Sequence, residues 1–220
     1  MDEHGNPPDN IIVMTYFSFL YKFCFRPFHS YRLRDRSFTW ELPIYGQTPP
    51  QKSVLGHYMT KGRYLYSNRV AKYLIEKNTV PKIIARLEEF FDCLCIDEVQ
   101  DFAANDFNFI LEISKAKLKV LYVGDFFQHT YDTSRDGNIK KNLHKKGVSS
   151  YLNFFKKKNF HIDLESLDKT HRCTPDVCKF ISDTLDITIS SHRSDRSMVE
   201  VVTDPKRAVE LYFDLSLIHI

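Results

Sequence analysis

The sequence predicts an α/β protein built on a parallel sheet, and three observations predict it. Cys93, Leu94, Cys95 and Ile96 form an unbroken apolar run between charged flanks, the pattern of a short, fully buried strand. Residues 118–123 (LKVLYV) form a second such strand. Between them Phe107, Ile110 and Leu111 recur at helical spacing over residues 106–115, so that strand, helix and strand predict a right-handed crossover. Both strands end in polar residues: Asp97, Glu98, Gln100 and Asp101 after the first, Gly124, Asp125 and Gln128 after the second. Open α/β sheets bind ligands at the carboxyl ends of their strands. Two adjacent carboxylates there suit phosphoryl transfer, one holding a hydrated Mg²⁺ and the other polarising the attacking water. A lone Asp-Glu pair is ordinarily a solvated turn; two strand ends carrying glutamine at matched offsets argue for a site.

The remaining elements follow in order. Residues 1–10 (MDEHGNPPDN) are a polar, Gly/Pro-rich lead-in. Residues 11–16 read as a strand, and 17–25 as a helix with Phe17, Leu20, Tyr21 and Cys24 on its core face. Over 27–78 the texture changes. Arg26, Arg32, Arg34 and Arg36 interleave with Phe28, His29, Tyr31, Phe38 and Trp40. Cations that neutralise phosphates beside rings that stack bases suit single-stranded nucleic acid. The same residues also fit a surface strand, with Arg32, Arg34 and Arg36 on one side of a period-two pattern. GQTPP at 46–50 is a turn, and a helix over 67–77 presents Val70, Tyr73 and Leu74. Pro81 suits the first position of a helix over 81–91, with Ile84, Leu87 and Phe91 inward. The basic stretch 132–148, with Lys140, Lys141, Lys145 and Lys146, and the run Lys156, Lys157, Lys158 read as solvated faces. Thr174 and Pro175 start a helix reaching about Leu185, and 198–203 begins another strand.

The motifs carry a resemblance. DEVQD at 97–101 and VGDFFQHTY at 123–131 are similar to the second and third motifs of the UvrD/Rep-type superfamily 1 DNA helicases. LDKTHRC at 167–173 resembles their fourth motif, and MTYFSF at 14–19 their TFHSF-like DNA-contacting segment. The resemblance implies an incomplete RecA-like P-loop NTPase motor domain over 1–26 and 79–165, a small inserted subdomain over 27–78, and the start of a second motor domain over 166–214. It implies ATP and Mg²⁺ as cofactors, single-stranded and duplex DNA as partners, and 3′ to 5′ translocation. By the same resemblance Asp97 orients the metal, Glu98 is the general base, and Gln128 senses the γ-phosphate. Gln100, Asp101 and His171 contact the nucleotide, and Arg172 is an arginine finger. Thr15, Tyr16, Phe17, Ser18 and Tyr131 contact the DNA strand. Without the motif context, Phe17 and its neighbours read equally as core aromatics, and Arg172 as a surface arginine pairing with Asp168 or Asp176.

Three departures qualify the likeness. Phe17 stands where the family has histidine, and His171 where tyrosine is common. The phosphate-cradling loop GxxxxGK[ST] occurs nowhere among the seven glycines. The final LSLIHI reads as a non-native tail or a plain terminal strand. The expectation is an internal fragment of a helicase, inactive alone; the alternative is a non-hydrolysing nucleic-acid-binding or regulatory remnant of the same fold.

Composition agrees with a globular chain. Its 220 residues are 43% hydrophobic and 14% aromatic, enough to bury a core. A net charge of +3 announces no polyanion partner, so any such claim rests on local clusters. The five cysteines include no CxxC pair, which supports neither a zinc framework nor disulfides and favours a reducing compartment. The acidic MDEH start is unlike a secretory signal, and the apolar stretch 11–25 is broken by Lys22 and too short to span a bilayer. A soluble intracellular protein is expected.

Overall fold

The computed structural model describes residues 8–43, 51, 54–134, 144–167 and 169–216. The chain divides into two compact units, 1–153 and 154–220. Most of the 1–10 lead-in, the GQTPP turn, Lys140, Lys141, Asp168 and residues 217–220 lie outside the described residues.

The first unit begins with a helical rod, α1, made of Tyr16–Ser18, Phe19–Ser30 and Tyr31–Leu33. Thr15 caps it, its hydroxyl accepting the Ser18 N–H at 3.3 Å. Its middle, Phe19–Ser30, is wound in wider π-type turns and contains Pro27, which has no N–H to donate. Leu20, Cys24 and Phe25 are buried, while Phe17 and Tyr21 are half-buried. The rod therefore runs past residue 25, and Arg32 sits on a helix rather than on an alternating strand. It ends at Arg34, which takes a left-handed conformation (φ 49°). Strand β1 (Ser37–Thr39) then pairs in parallel with β2 (Tyr64–Tyr66).

Helices α2 (Val70–Glu76) and α3 (Val80–Phe90) follow the predicted periodicity. Val70, Tyr73 and Leu74 are buried as expected. In α3 the buried line is Val80, Ile83 and Leu87, whereas Ile84 and Phe91 are only half-buried. The inward face is therefore Val80, Ile83 and Leu87, and Phe91 lies past the helix end in extended backbone.

Strand β3 (Cys93–Ile96) and strand β4 (Lys119–Tyr122) pair in parallel, Cys93 opposite Lys119 and Ile96 opposite Tyr122. Helix α4 (Ala104–Ile113) makes the crossover that a parallel pair requires. Phe107, Phe109, Ile110 and Ile113 are buried along it, and Leu111 is half-buried. The Tyr122 hydroxyl donates to the Ile110 carbonyl at 2.9 Å, which ties β4 to α4. The hidden side chains of this unit include Phe25, Tyr58, Tyr73, Phe107, Phe109, Leu65 and Ile110. Full burial of such a side chain is worth about 1.5–3 kcal/mol.

Two strand expectations fail here. Residues 11–14 form no strand and stay exposed: they pair with none of the described strands, and an apolar run without a partner strand gains no ladder hydrogen bonds. Strand β3 is not fully buried: Leu94 and Ile96 are half-buried while Cys93 and Cys95 are exposed. Its sequence is apolar on both faces, but only one face packs.

The second unit is thinner. Helix α5 (Val148–Lys156) begins in the first unit and ends in the second, which also holds strands β5 (Lys169–Thr170) and β6 (Ser190–Ser191), paired in parallel. Helix α6 (Pro175–Leu185) lies between them in sequence with Pro175 in its first turn. The Thr174 hydroxyl pairs with the Ser197 hydroxyl instead of capping the helix. Residues 198–203 form no strand; an exposed stretch leads into helix α7 (Pro205–Ser216), which the sequence reading did not foresee. No helix among the described residues is long and apolar enough to cross a membrane.

Candidate functional site

Parallel pairing puts the carboxyl ends of β3 and β4 on one rim, and their polar residues meet there. Val99 donates its N–H to the Val123 carbonyl at 3.0 Å, which docks the turn after β3 onto the end of β4. Glu98 makes that turn possible by adopting a left-handed conformation (φ 52°), unusual for a residue with a side chain. Its N–H donates to Asp97 Oδ1 at 2.9 Å.

Gln100 is the joint of the rim and is only 2% exposed. Its amide nitrogen donates to Glu98 Oε2 at 2.5 Å, and its amide oxygen accepts the Asp125 N–H at 3.1 Å. Asp125 in turn accepts the Phe127 N–H at 2.9 Å and the Gln128 side-chain amide at 2.8 Å. Glu98, Gln100, Asp125 and Gln128 thus form one hydrogen-bonded chain across both strand ends. A buried amide with both ends engaged holds its neighbours at fixed positions. Glu98 and Gln128 remain exposed, so the working ends face solvent while the joint does not.

Behind the rim, the Asp101 carboxylate lies 3.3 Å from His129 Nδ1, and Asp132 lies 3.6 Å from Nε2. His129 stacks on His144 with ring centres 4.0 Å apart and planes 4° apart. Burial, and then the adjoining His129, push the His144 pKa down. Tyr131 is 51% exposed and keeps an accessible ring. Its pKa is raised, first by partial burial and then by Asp106 and Asp101.

The residues expected to meet DNA behave differently from one another. Thr15 uses its hydroxyl as a helix cap. Tyr16 turns inward: its ring meets Phe102 edge-on at 4.6 Å, and burial followed by the nearby Asp106 raises its pKa. Phe17 points into an aromatic cluster, edge-on to Trp40 at 4.6 Å and tilted against Phe38 at 6.2 Å. Trp40 is 64% exposed, so this cluster presents an open indole face. Ser18 contributes its backbone N–H to the cap and is half-buried.

A scan of known protein families finds none that matches this chain, and a search of curated proteins finds no relative. The site rests on its own chemistry.

In the second unit, His171 stacks on His192 at 4.0 Å, so one of its faces is covered. Arg172 is exposed and uses its backbone in local bonds, its N–H to the Thr170 hydroxyl and its carbonyl to Arg193. Asp176 is not its partner: that carboxylate lies 3.5 Å from Arg196 and accepts the Ser197 N–H. Among the described residues the Arg172 guanidinium meets no carboxylate.

Asp97 fits a divalent ion that keeps most of its waters, since Mg²⁺ is commonly held by one or two carboxylates plus substrate phosphates. Among the described residues no cluster of three potential metal ligands exists. Nor does the sequence contain the glycine loop that would cradle a triphosphate.

Sequence reasoning placed Asp125 at a strand end but gave it no role; its place in the rim comes from the Gln100 and Gln128 contacts. It missed the His129–His144 stack, whose members lie before and within the basic stretch 132–148 and share no periodic pattern.

Proposed function

We propose that this chain carries the hydrolysis rim and part of the strand-binding surface of a UvrD/Rep-type DNA helicase. Such a motor couples Mg-ATP hydrolysis to movement along single-stranded DNA, 3′ to 5′ by resemblance, and to duplex unwinding. The observation that carries the reading is the bonded chain Glu98–Gln100–Asp125–Gln128 on a shared strand-end rim. Glu98 is held where it can polarise a water, because Gln100 grips one of its oxygens and leaves the other to solvent. Gln128, tethered to Asp125, is an amide that can accept from or donate to a terminal phosphate. Asp97 supplies a carboxylate for a hydrated Mg²⁺, whose role is to neutralise charge on the transferred phosphoryl. By the motif resemblance alone, Arg172 is given the role of the cation that meets the developing transition-state charge. The exposed ring of Tyr131 and the Phe17–Trp40 cluster are the base-stacking surfaces.

The 220-residue chain is expected to hydrolyse no ATP, since it has no phosphate-cradling loop. In a protein that joins this segment to such a loop, Glu98→Gln is expected to lower turnover by about 10²–10⁴-fold while nucleotide binding persists. Near-normal turnover would remove Glu98 from the role of base. Arg172→Ala is expected to slow hydrolysis comparably, and a mild effect makes it a surface residue.

The missing loop favours a second reading, a nucleic-acid-binding or regulatory protein of the same fold that does not hydrolyse nucleotide. The coding sequence ahead of Met1 separates the two. An in-frame GxxxxGK[ST] within about one domain length, on the order of 100 residues, supports the motor; an in-frame stop supports the second reading.

A further inference from the structure

Strand β3 carries two thiols that the hydrolysis rim does not use. Cys93 and Cys95 are two residues apart, so the strand's period of two sends both side chains to one face. Both are exposed, and their sulfurs lie 3.7 Å apart. The same face of the neighbouring strand shows Lys119 and Leu121, Leu121 being 40% exposed, so no described side chain seals the thiols from solvent.

Two pairings of these sulfurs can be weighed by distance. Direct oxidation would bring them into a disulfide, whose Cα atoms usually sit about 4.4–6.8 Å apart, most often about 5.5–6 Å. Two strand residues span about 6.6 Å, at the long end of that range. A tetrahedral centre with metal–sulfur bonds of about 2.3 Å instead separates two thiolates by about 3.8 Å. That matches the spacing already present, and soft thiolates prefer thiophilic cations.

We propose that Cys93 and Cys95 form a bidentate dithiol site for a thiophilic divalent cation of the zinc–cadmium class. Two thiols exchange two protons for two metal–sulfur bonds, leaving a neutral bis-thiolate with two coordination positions filled by water. No oxidant or reductant is involved. The site is independent of the nucleotide reading, since neither sulfur belongs to the Glu98–Gln128 chain.

The remaining cysteines provide controls: Cys24 and Cys178 are buried, and Cys173 is half-buried in the other unit. The test titrates the full chain with Cd²⁺ alone and follows thiolate-to-metal charge-transfer absorption. One Cd²⁺ per chain is expected, with the band lost in Cys93→Ser and in Cys95→Ser and kept in Cys173→Ser. Circular dichroism on each variant checks that the fold is retained, as expected for exposed positions. A band of undiminished amplitude in a folded Cys93→Ser or Cys95→Ser chain overturns the proposal. So does a wild-type chain that shows no band.

Discussion

Gly124 is the residue on which the rim's geometry turns. A Cβ placed there would lie 2.4 Å from the Gln100 amide oxygen, 2.9 Å from Val99 Cγ1 and 3.0 Å from the Val99 nitrogen. Gln100 cannot swing aside cheaply, because its amide is held at both ends. Glycine is required at this position for close approach and not for its dihedral freedom. Gly124→Ala should therefore destabilise the first unit by about 1–3 kcal/mol, the usual cost of overpacking a tight site. Urea unfolding followed by the fluorescence of Trp40, the one tryptophan of the chain, reads this directly. An unshifted midpoint would mean that the turn after β4 is slack. The reading of GDFFQ from sequence found Asp125 and Gln128 because they are contiguous with a strand end. It could not find the reason for Gly124, which lies in a contact with a segment on the other strand.

At the scale of elements, most helices and the parallel pairing of β3 with β4 were legible, and the burial of strands was not. A helix satisfies its own backbone, so Val70, Tyr73 and Leu74 announce α2 by spacing alone. A strand needs a neighbour, which is why residues 11–14 look like one and remain exposed, and why β3 was read as buried on both faces. The packing of α1 against α2 also makes a pH-dependent contact that no pattern reveals. His29, on α1, accepts or donates at 2.8 Å to the Thr79 hydroxyl and meets Tyr73 edge-on at 5.0 Å. Partial burial first, then Arg32, Lys82 and Lys77, push its pKa from 6.5 down to about 4. Between those values the unfolded chain binds the proton and the folded chain does not. The contribution is therefore complete above pH 6.5 and is lost as pH falls toward 4, on the order of 1–2 kcal/mol after allowance for solvent screening. His29→Gln should flatten that part of the pH–stability curve relative to wild type. Parallel curves for the two proteins would assign no titration to this contact.

Under the proposed strand-binding reading, a net charge of +3 is too small to hold a nucleic acid by itself, so the local field would come from the exposed Arg34 and Arg36 beside the β1 aromatics. An oligo-dT strand is expected to quench Trp40 fluorescence, with affinity falling as salt rises. Each arginine that contacts a phosphate should take about 0.7 from the slope of log affinity against log salt when replaced by alanine. Quenching that ignores salt would point to an adventitious apolar contact.

For the whole molecule, burial is divided unequally between the two units. The largest fully hidden side chains, among them Tyr58, Tyr73, Phe25, Phe107 and Phe109, all belong to the first. Among the described residues of the second, the buried apolar side chains are Phe155 and Cys178, and α7 leaves Val209, Tyr212 and Phe213 exposed. A unit with so little apolar burial has little to set against the entropy of ordering its chain. Local opening should therefore be easier there, because opening free energies track buried contacts. Amide hydrogen exchange is expected to be at least about 10-fold faster in α6 (Pro175–Leu185) than in α4 (Ala104–Ile113), a difference of about 1.4 kcal/mol. Equal protection in the two helices would require the second unit to draw stability from something other than its own core. In that event Trp40 fluorescence, which reports only on the first unit, and far-ultraviolet circular dichroism, which reports on both, should give coincident unfolding curves instead of separate ones.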